Sequence, residues 1–144
     1  MPRMRLLSLL ATASLLALAG GCGESAEDVS NSEYLLGLLH ESWQNARKGL
    51  QSEQPDLGPL RAIHILLARR APRRVQRDYH GPNKEEVLRR LHALRDAYEA
   101  RIVPKLDLTQ PEVRLQPGAT VQEVKAAFME LDKAYRQIDA LLQQ

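Results

Sequence analysis

The densest group of chemically capable side chains in the sequence is a run of arginines around Pro72. Five of the nine residues from 69 to 77 are arginine, namely Arg69, Arg70, Arg73, Arg74 and Arg77. Guanidinium groups bind phosphate and carboxylate in a bidentate geometry, so this segment is predicted to contact a protein partner or an anion. Cations near the C-terminal end of a helix are also favoured by the helix dipole alone. A solvated helix face therefore remains the alternative interpretation.

The second candidate is His64, which interrupts an apolar run of Ala, Ile and Leu at residues 62–67. An imidazole between helices could ligate haem or a metal ion, with Met129 or another histidine opposite. In outline, such a bundle resembles the periplasmic four-helix cytochromes of b type. The first predicted helix contains no Met, however, and the last contains no His. We therefore expect no cofactor, with His64 at the edge of the core and hydrogen-bonded to a neighbour. The alternative is a haem or metal site at His64.

The remaining polar residues form no catalytic motif. His40-Glu41 begins like a zinc-protease signature, but the position that needs the second histidine is Gln44. Glu130 and Asp132 are predicted to lie on a solvated face of the last helix. We therefore expect a protein that is not an enzyme.

The N-terminal segment has the parts of an export signal. Arg3 and Arg5 precede an uncharged run over residues 6–18, and the small residues 19–21 lead to Cys22. This segment resembles the lipobox of bacterial lipoproteins, although Ala19 replaces the usual Leu three residues before the cysteine. The resemblance implies cleavage before Cys22 and acyl chains on that cysteine. The alternative is an ordinary secretory signal with an incidental cysteine. Gly23 instead of Asp after the cysteine implies the outer membrane in a Gram-negative envelope.

Removal of the predicted export signal changes the net charge from which partners can be inferred. The whole chain has 20 Lys and Arg against 18 Asp and Glu, and the predicted signal removes two arginines and no acid. The mature chain is then balanced, so no global charge favours nucleic acid, which an exported protein would not meet. The expected partners are the membrane, through the lipid anchor, and an envelope protein or anionic envelope polymer.

Behind a signal at 1–21 and a lipidated tether at 22–29, residues 30–144 are predicted to form one helical domain. Four segments have apolar residues three and four apart, which indicates amphipathic helices. The expected N-caps are Ser30, Asn83 and Thr120, and Pro72 is expected to kink or end the second helix. We predict an all-α four-helix bundle, with a three-helix bundle and a satellite second helix as the alternative. The long Pro-rich connection before the last helix could run back along the whole bundle.

Overall fold

The computed structural model describes residues 31–144. The predicted signal, the lipidation of Cys22 and the tether at 22–29 lie outside the described residues.

The described chain is an all-α four-helix bundle, as predicted. Its helices are α1 (Ser32–Gln51), α2 (residues 58–78), α3 (Lys84–Arg101) and α4 (Val121–Leu142). Helix α2 is built from three consecutive parts, an α-helix over Gly58–Ile65, a π-helical turn over Leu66–Arg70 and an α-helix over Ala71–Asp78. Helices α1 and α3 separate α2 from α4, because each of them packs against both.

Successive helices run in opposite directions. Near the end of α3, Lys105 Nζ lies 3.4 Å from the carboxylate of Glu123 in the first turn of α4. At the other end, Asn83, just before α3, donates a hydrogen bond of 3.0 Å to Gln144, just after α4. The topology is therefore up-down-up-down, and the N-terminus of α1 lies at the same end of the bundle as the C-terminus of α2.

The connection between α3 and α4 does not run back along the bundle, so that expectation is wrong. It folds locally into a short hairpin of β1 (Leu106–Asp107) and β2 (Arg114–Leu115), in which Leu106 pairs with Leu115. Arg61 of α2 donates to the carbonyl oxygens of Leu108, at 3.1 Å, and Pro111, at 2.9 Å. These hydrogen bonds satisfy loop carbonyls that would otherwise need water. Since α4 starts where α3 ends, a long return is unnecessary.

The core is formed by the apolar stripes that the sequence predicts. Each helix directs residues three and four apart to the bundle axis, where they are almost completely buried: Leu39, Trp43 and Leu50 of α1, Leu60, Ile63 and Leu67 of α2, Val87, Leu91 and Tyr98 of α3, and Val124, Phe128 and Ile138 of α4. Trp43 is the largest of these side chains and has no exposed surface. Burying it excludes a role as an exposed interface anchor in the isolated domain.

Pro72 does not end α2, contrary to one of the two expected outcomes. Proline has no N–H and its ring clashes with the carbonyl four residues earlier, here that of Ala68. The preceding turn widens instead, and the N–H of Ala71 donates to the carbonyl of Leu66, five residues back. A π turn is a known way to accommodate such a mismatch without breaking a helix. The arginines on both sides of Pro72 therefore belong to one helix.

One of the three predicted N-caps, Ser30, is wrong, and Asn83 occupies the predicted N-cap position without the side-chain hydrogen bond. Helix α1 is capped by Asn31, whose side chain accepts from the N–H of Tyr34, and not by Ser30. Asn83 precedes α3, but it has a positive φ of 63° and its side chain makes no capping hydrogen bond. Thr120 and Glu123 form the predicted capping box at α4.

Candidate functional site

The structure divides the five predicted arginines into two groups. Arg69, Arg73 and Arg77 are exposed and lie four residues apart along α2; we call these three the arginine row. Within residues 31–144, none of the three forms an ion pair or hydrogen bond with an acidic side chain. Each guanidinium of the row therefore has all its donors directed to solvent or available to a ligand.

The other two arginines are directed towards the protein. Arg70 is half-buried. Arg74 has only 12% of its side chain exposed and lies 3.8 Å from the carboxylate of Asp78, one turn further along. The sequence pattern could not separate these two from the row, because consecutive arginines differ only in the direction that the helix gives them.

Asp78 ties the end of α2 to the start of α1. Its Oδ1 accepts a hydrogen bond of 2.8 Å from the N–H of Ser32. Hydrogen bonds from Ser32 are the main reason that the pKa of Asp78 lies below its usual value, and the charge of Arg74 adds to this effect. The chain therefore enters the domain next to the C-terminal end of the arginine row.

His64 is half-buried on α2, and its Nδ1 is buried without a hydrogen-bond partner. The hydrogen bond expected of a core-edge histidine is thus missing at this atom. Met129, which was considered as an opposing ligand, is 42% exposed on α4 and does not belong to the buried core. In the part of the chain that the structure describes, no three His, Cys, Asp or Glu side chains are grouped in a way that could hold a metal ion.

The burial of the Asp132 carboxylate was not predicted from the sequence. Asp132 was expected on a solvated face, but it is 2% exposed at the contact of α1 with α4. Trp43 Nε1 donates to its Oδ1 at 2.8 Å, Arg47 donates to the same oxygen, and Arg136 Nε donates to Oδ2 at 3.0 Å. Position 132 follows Phe128 by four residues and precedes Tyr135 by three. This spacing places it within the apolar stripe and was the available signal.

The surroundings of Asp132 keep it ionised. Burial is the largest single influence and raises its pKa, but the hydrogen bonds from Arg47 and Trp43 and the charges of Arg47 and Arg136 together outweigh it. The net pKa lies below the ordinary value of a carboxyl group. A carboxylate with such a low proton affinity and three donors around it is a poor general base near neutral pH. Asp132 therefore links α1 to α4 through its contacts with Trp43 and Arg47.

Aromatic packing completes this link. The ring of Trp43 stacks on Tyr135, with centroids 4.5 Å apart, and on Phe128, with centroids 4.8 Å apart. Burial raises the pKa of the Tyr135 hydroxyl. The same hydroxyl lies 3.2 Å from His40 Nδ1, which is also 3.4 Å from the carboxylate of Asp139.

Across residues 31–144, no helix is both long enough and apolar enough to cross a bilayer. Searches against protein-family models, curated proteins and solved structures give no match to the chain.

Proposed function

We propose that this chain is an exported, lipid-anchored envelope protein whose helical domain is a non-enzymatic binding or assembly module. Its contact surface is the arginine row of α2. The observation that carries this proposal is the exposure of Arg69, Arg73 and Arg77 without an acidic partner in residues 31–144. Unpaired guanidiniums on a rigid helix are ready to bind carboxylate or phosphate without first breaking an internal ion pair.

The distribution of charge along the chain supports this assignment. Helix α2 carries six arginines and one carboxylate, Asp78, which is its last residue. Acidic and basic residues alternate on the other helices, and ion pairs such as Glu86 with Arg90 and Glu130 with Arg101 neutralise much of that charge. A module with a balanced mature charge thus presents one concentrated positive surface.

The anchor is supported by the sequence alone, and its direct test is the mass of the N-terminal peptide. Lipoprotein processing predicts a mature chain that begins at a diacylated or triacylated Cys22. The variant Cys22→Ser is expected to lack this acylation. An unmodified Cys22 at the mature N-terminus would exclude the lipoprotein part of the proposal.

The binding module is tested by mild cross-linking in membranes that contain the full-length protein, followed by mass spectrometry of the captured partners. Replacing Arg69, Arg73 and Arg77 with Glu is expected to remove a reproducible envelope partner. A control that reverses three other exposed cations, Lys48, Arg114 and Lys133, is expected to keep it. If both variants fold and capture the same partners as the original chain, the arginine row does not bind a protein partner.

A second candidate function follows from the buried, unpaired Nδ1 of His64. An imidazole nitrogen without a partner can ligate haem or a metal ion. This function predicts a Soret band, or stoichiometric metal, after haem or metal titration of the mature chain, and its loss in His64→Gln. A chain that takes up neither haem nor metal would exclude it.

A further inference from the structure

We infer that the arginine row, together with Ile65, docks on the anionic headgroup surface of the membrane that holds the lipid of Cys22. This inference rests on the proposed function, because it assumes the anchor. It adds the identity of the ligand, which is the phosphate groups of membrane lipids, and the orientation of the domain, with α2 facing the bilayer.

The first support is charge complementarity. No Asp or Glu occurs between Asp56 and Asp78, so the row is not interrupted by an acidic residue along α2. Each basic residue held near an anionic bilayer strengthens binding roughly fivefold, and three act together on a rigid helix. Arginine also forms bidentate hydrogen bonds with phosphate oxygens, which a point charge on a flexible chain does less well.

The second support is an apolar side chain in line with the row. Ile65 precedes Arg69 by four residues and is 47% exposed, which makes it one of the few large exposed hydrophobic residues in the described part of the chain. Basic residues beside an exposed aliphatic group are typical of helices that lie in the headgroup region. Transfer of the Ile65 side chain from water into the headgroup region would therefore add to the attraction between the arginines and the lipid phosphates.

The third support is the place where the tether joins the domain. Ser32 contacts Asp78, so the chain leaves the bundle beside Arg77. Eight residues lie between Cys22 and Asn31, and this stretch spans about 30 Å at most when fully extended. The row extends over nine residues of α2, from Arg69 to Arg77, and the eight steps between them span about 12 Å. The anchor can therefore hold the whole row against the headgroups.

The tether itself is acidic, with Glu24, Glu27 and Asp28. These carboxylates are repelled by an anionic surface, so any electrostatic attraction has to come from the helical domain and not from the tether. With α2 facing the bilayer, α4 lies on the far side of the bundle, because α1 and α3 separate the two helices.

The experiment uses the mature chain with Cys22→Ser, so that any vesicle binding comes from the protein surface and not from acyl chains. Binding is measured by co-sedimentation with two kinds of vesicle, one of phosphatidylcholine alone and one that also contains phosphatidylglycerol. Each is measured at low and at high salt. Binding should require phosphatidylglycerol and fall as salt rises, because salt screens the headgroup charge. The triple variant Arg69→Gln, Arg73→Gln and Arg77→Gln should bind about 100-fold more weakly.

A matched control removes the same charge elsewhere, through Lys48→Gln, Arg114→Gln and Lys133→Gln. It should bind nearly as well as the parent, and Ile65→Ser should bind more weakly than the parent with unchanged salt dependence. Circular dichroism confirms that each variant is folded. Equal binding by the row variant and the parent, or equal losses in the row variant and the control, would overturn the inference. The lipid anchor is tested independently by the mass of the Cys22 peptide. A negative result in the vesicle assay therefore overturns this inference without overturning the anchor.

Discussion

Replacing Asp132 with Ala is expected to destabilise the domain severely, although the sequence places this residue among solvated charges. The substitution leaves Trp43 Nε1 buried without an acceptor, which costs about 1–3 kcal/mol. It also removes a charge-assisted hydrogen bond from Arg47, whose Nε is already buried without a partner; such a bond contributes about 1.5–3 kcal/mol. The pair with Arg136, whose side chain is 66% exposed, contributes about 0–1 kcal/mol.

These contributions are not additive, and breaking a buried ion pair typically costs about 3–5 kcal/mol. We expect the free energy of unfolding to fall by that amount, and the melting temperature to fall by about 10–20 °C. Urea unfolding measures this directly, because Trp43 is the single tryptophan of the chain and its fluorescence reports on the site. The matched control is Glu130→Ala on the same helix, whose pair with Arg101 is exposed; it should cost less than about 1 kcal/mol.

A double variant tests whether Arg47 and Asp132 act as a pair. Removing both should cost less than the sum of the two single losses, because no buried charge is then left without a counterion. If Asp132→Ala is no more destabilising than Glu130→Ala, Asp132 does not hold α1 to α4 in the way described here.

Three further predictions concern stability, and each is measured by urea or thermal unfolding. Because the folded state lowers the pKa of Asp132, the unfolded chain binds that proton more tightly. The stabilisation should therefore be complete above about pH 5 and be lost as the pH falls further, and Asp132→Asn should weaken this acid dependence. Thr120→Ala should cost about 1 kcal/mol by removing the capping box of α4, whereas Gln122→Ala in the same turn should cost almost nothing. Gly49→Ala should destabilise by about 1–3 kcal/mol, in spite of the better helix propensity of Ala, since its Cβ would lie 2.7 Å from the backbone oxygen of Asp56; a gain in stability would contradict the close approach of these segments.

The sequence was sufficient for the helices and their buried faces. Periodic spacing is local information, and apolar residues of the predicted stripes such as Leu50, Leu67 and Tyr98 are buried. The stripe of α4 is buried from Val124 to Ile138, whereas Val121 and Leu142 at its two ends are half-buried. The capping box at Thr120 is equally local, because both of its hydrogen bonds form within four residues. Four amphipathic helices in one short domain then leave few ways to cover every stripe, so the bundle itself followed.

Only the tertiary structure decided which charged side chains are buried against a partner and which face solvent. Asp132 is buried because Trp43 and Arg47, far away in the sequence, supply its donors. The arginines divide into a solvent-facing row and the half-buried pair of Arg70 and Arg74 because the π turn before Pro72 keeps α2 continuous and fixes the direction of each side chain. The spacing of residues along one helix can place a charge in a buried stripe, as it does for Asp132. Which groups then pair with that charge depends on the neighbouring helices, and the spacing does not contain that information.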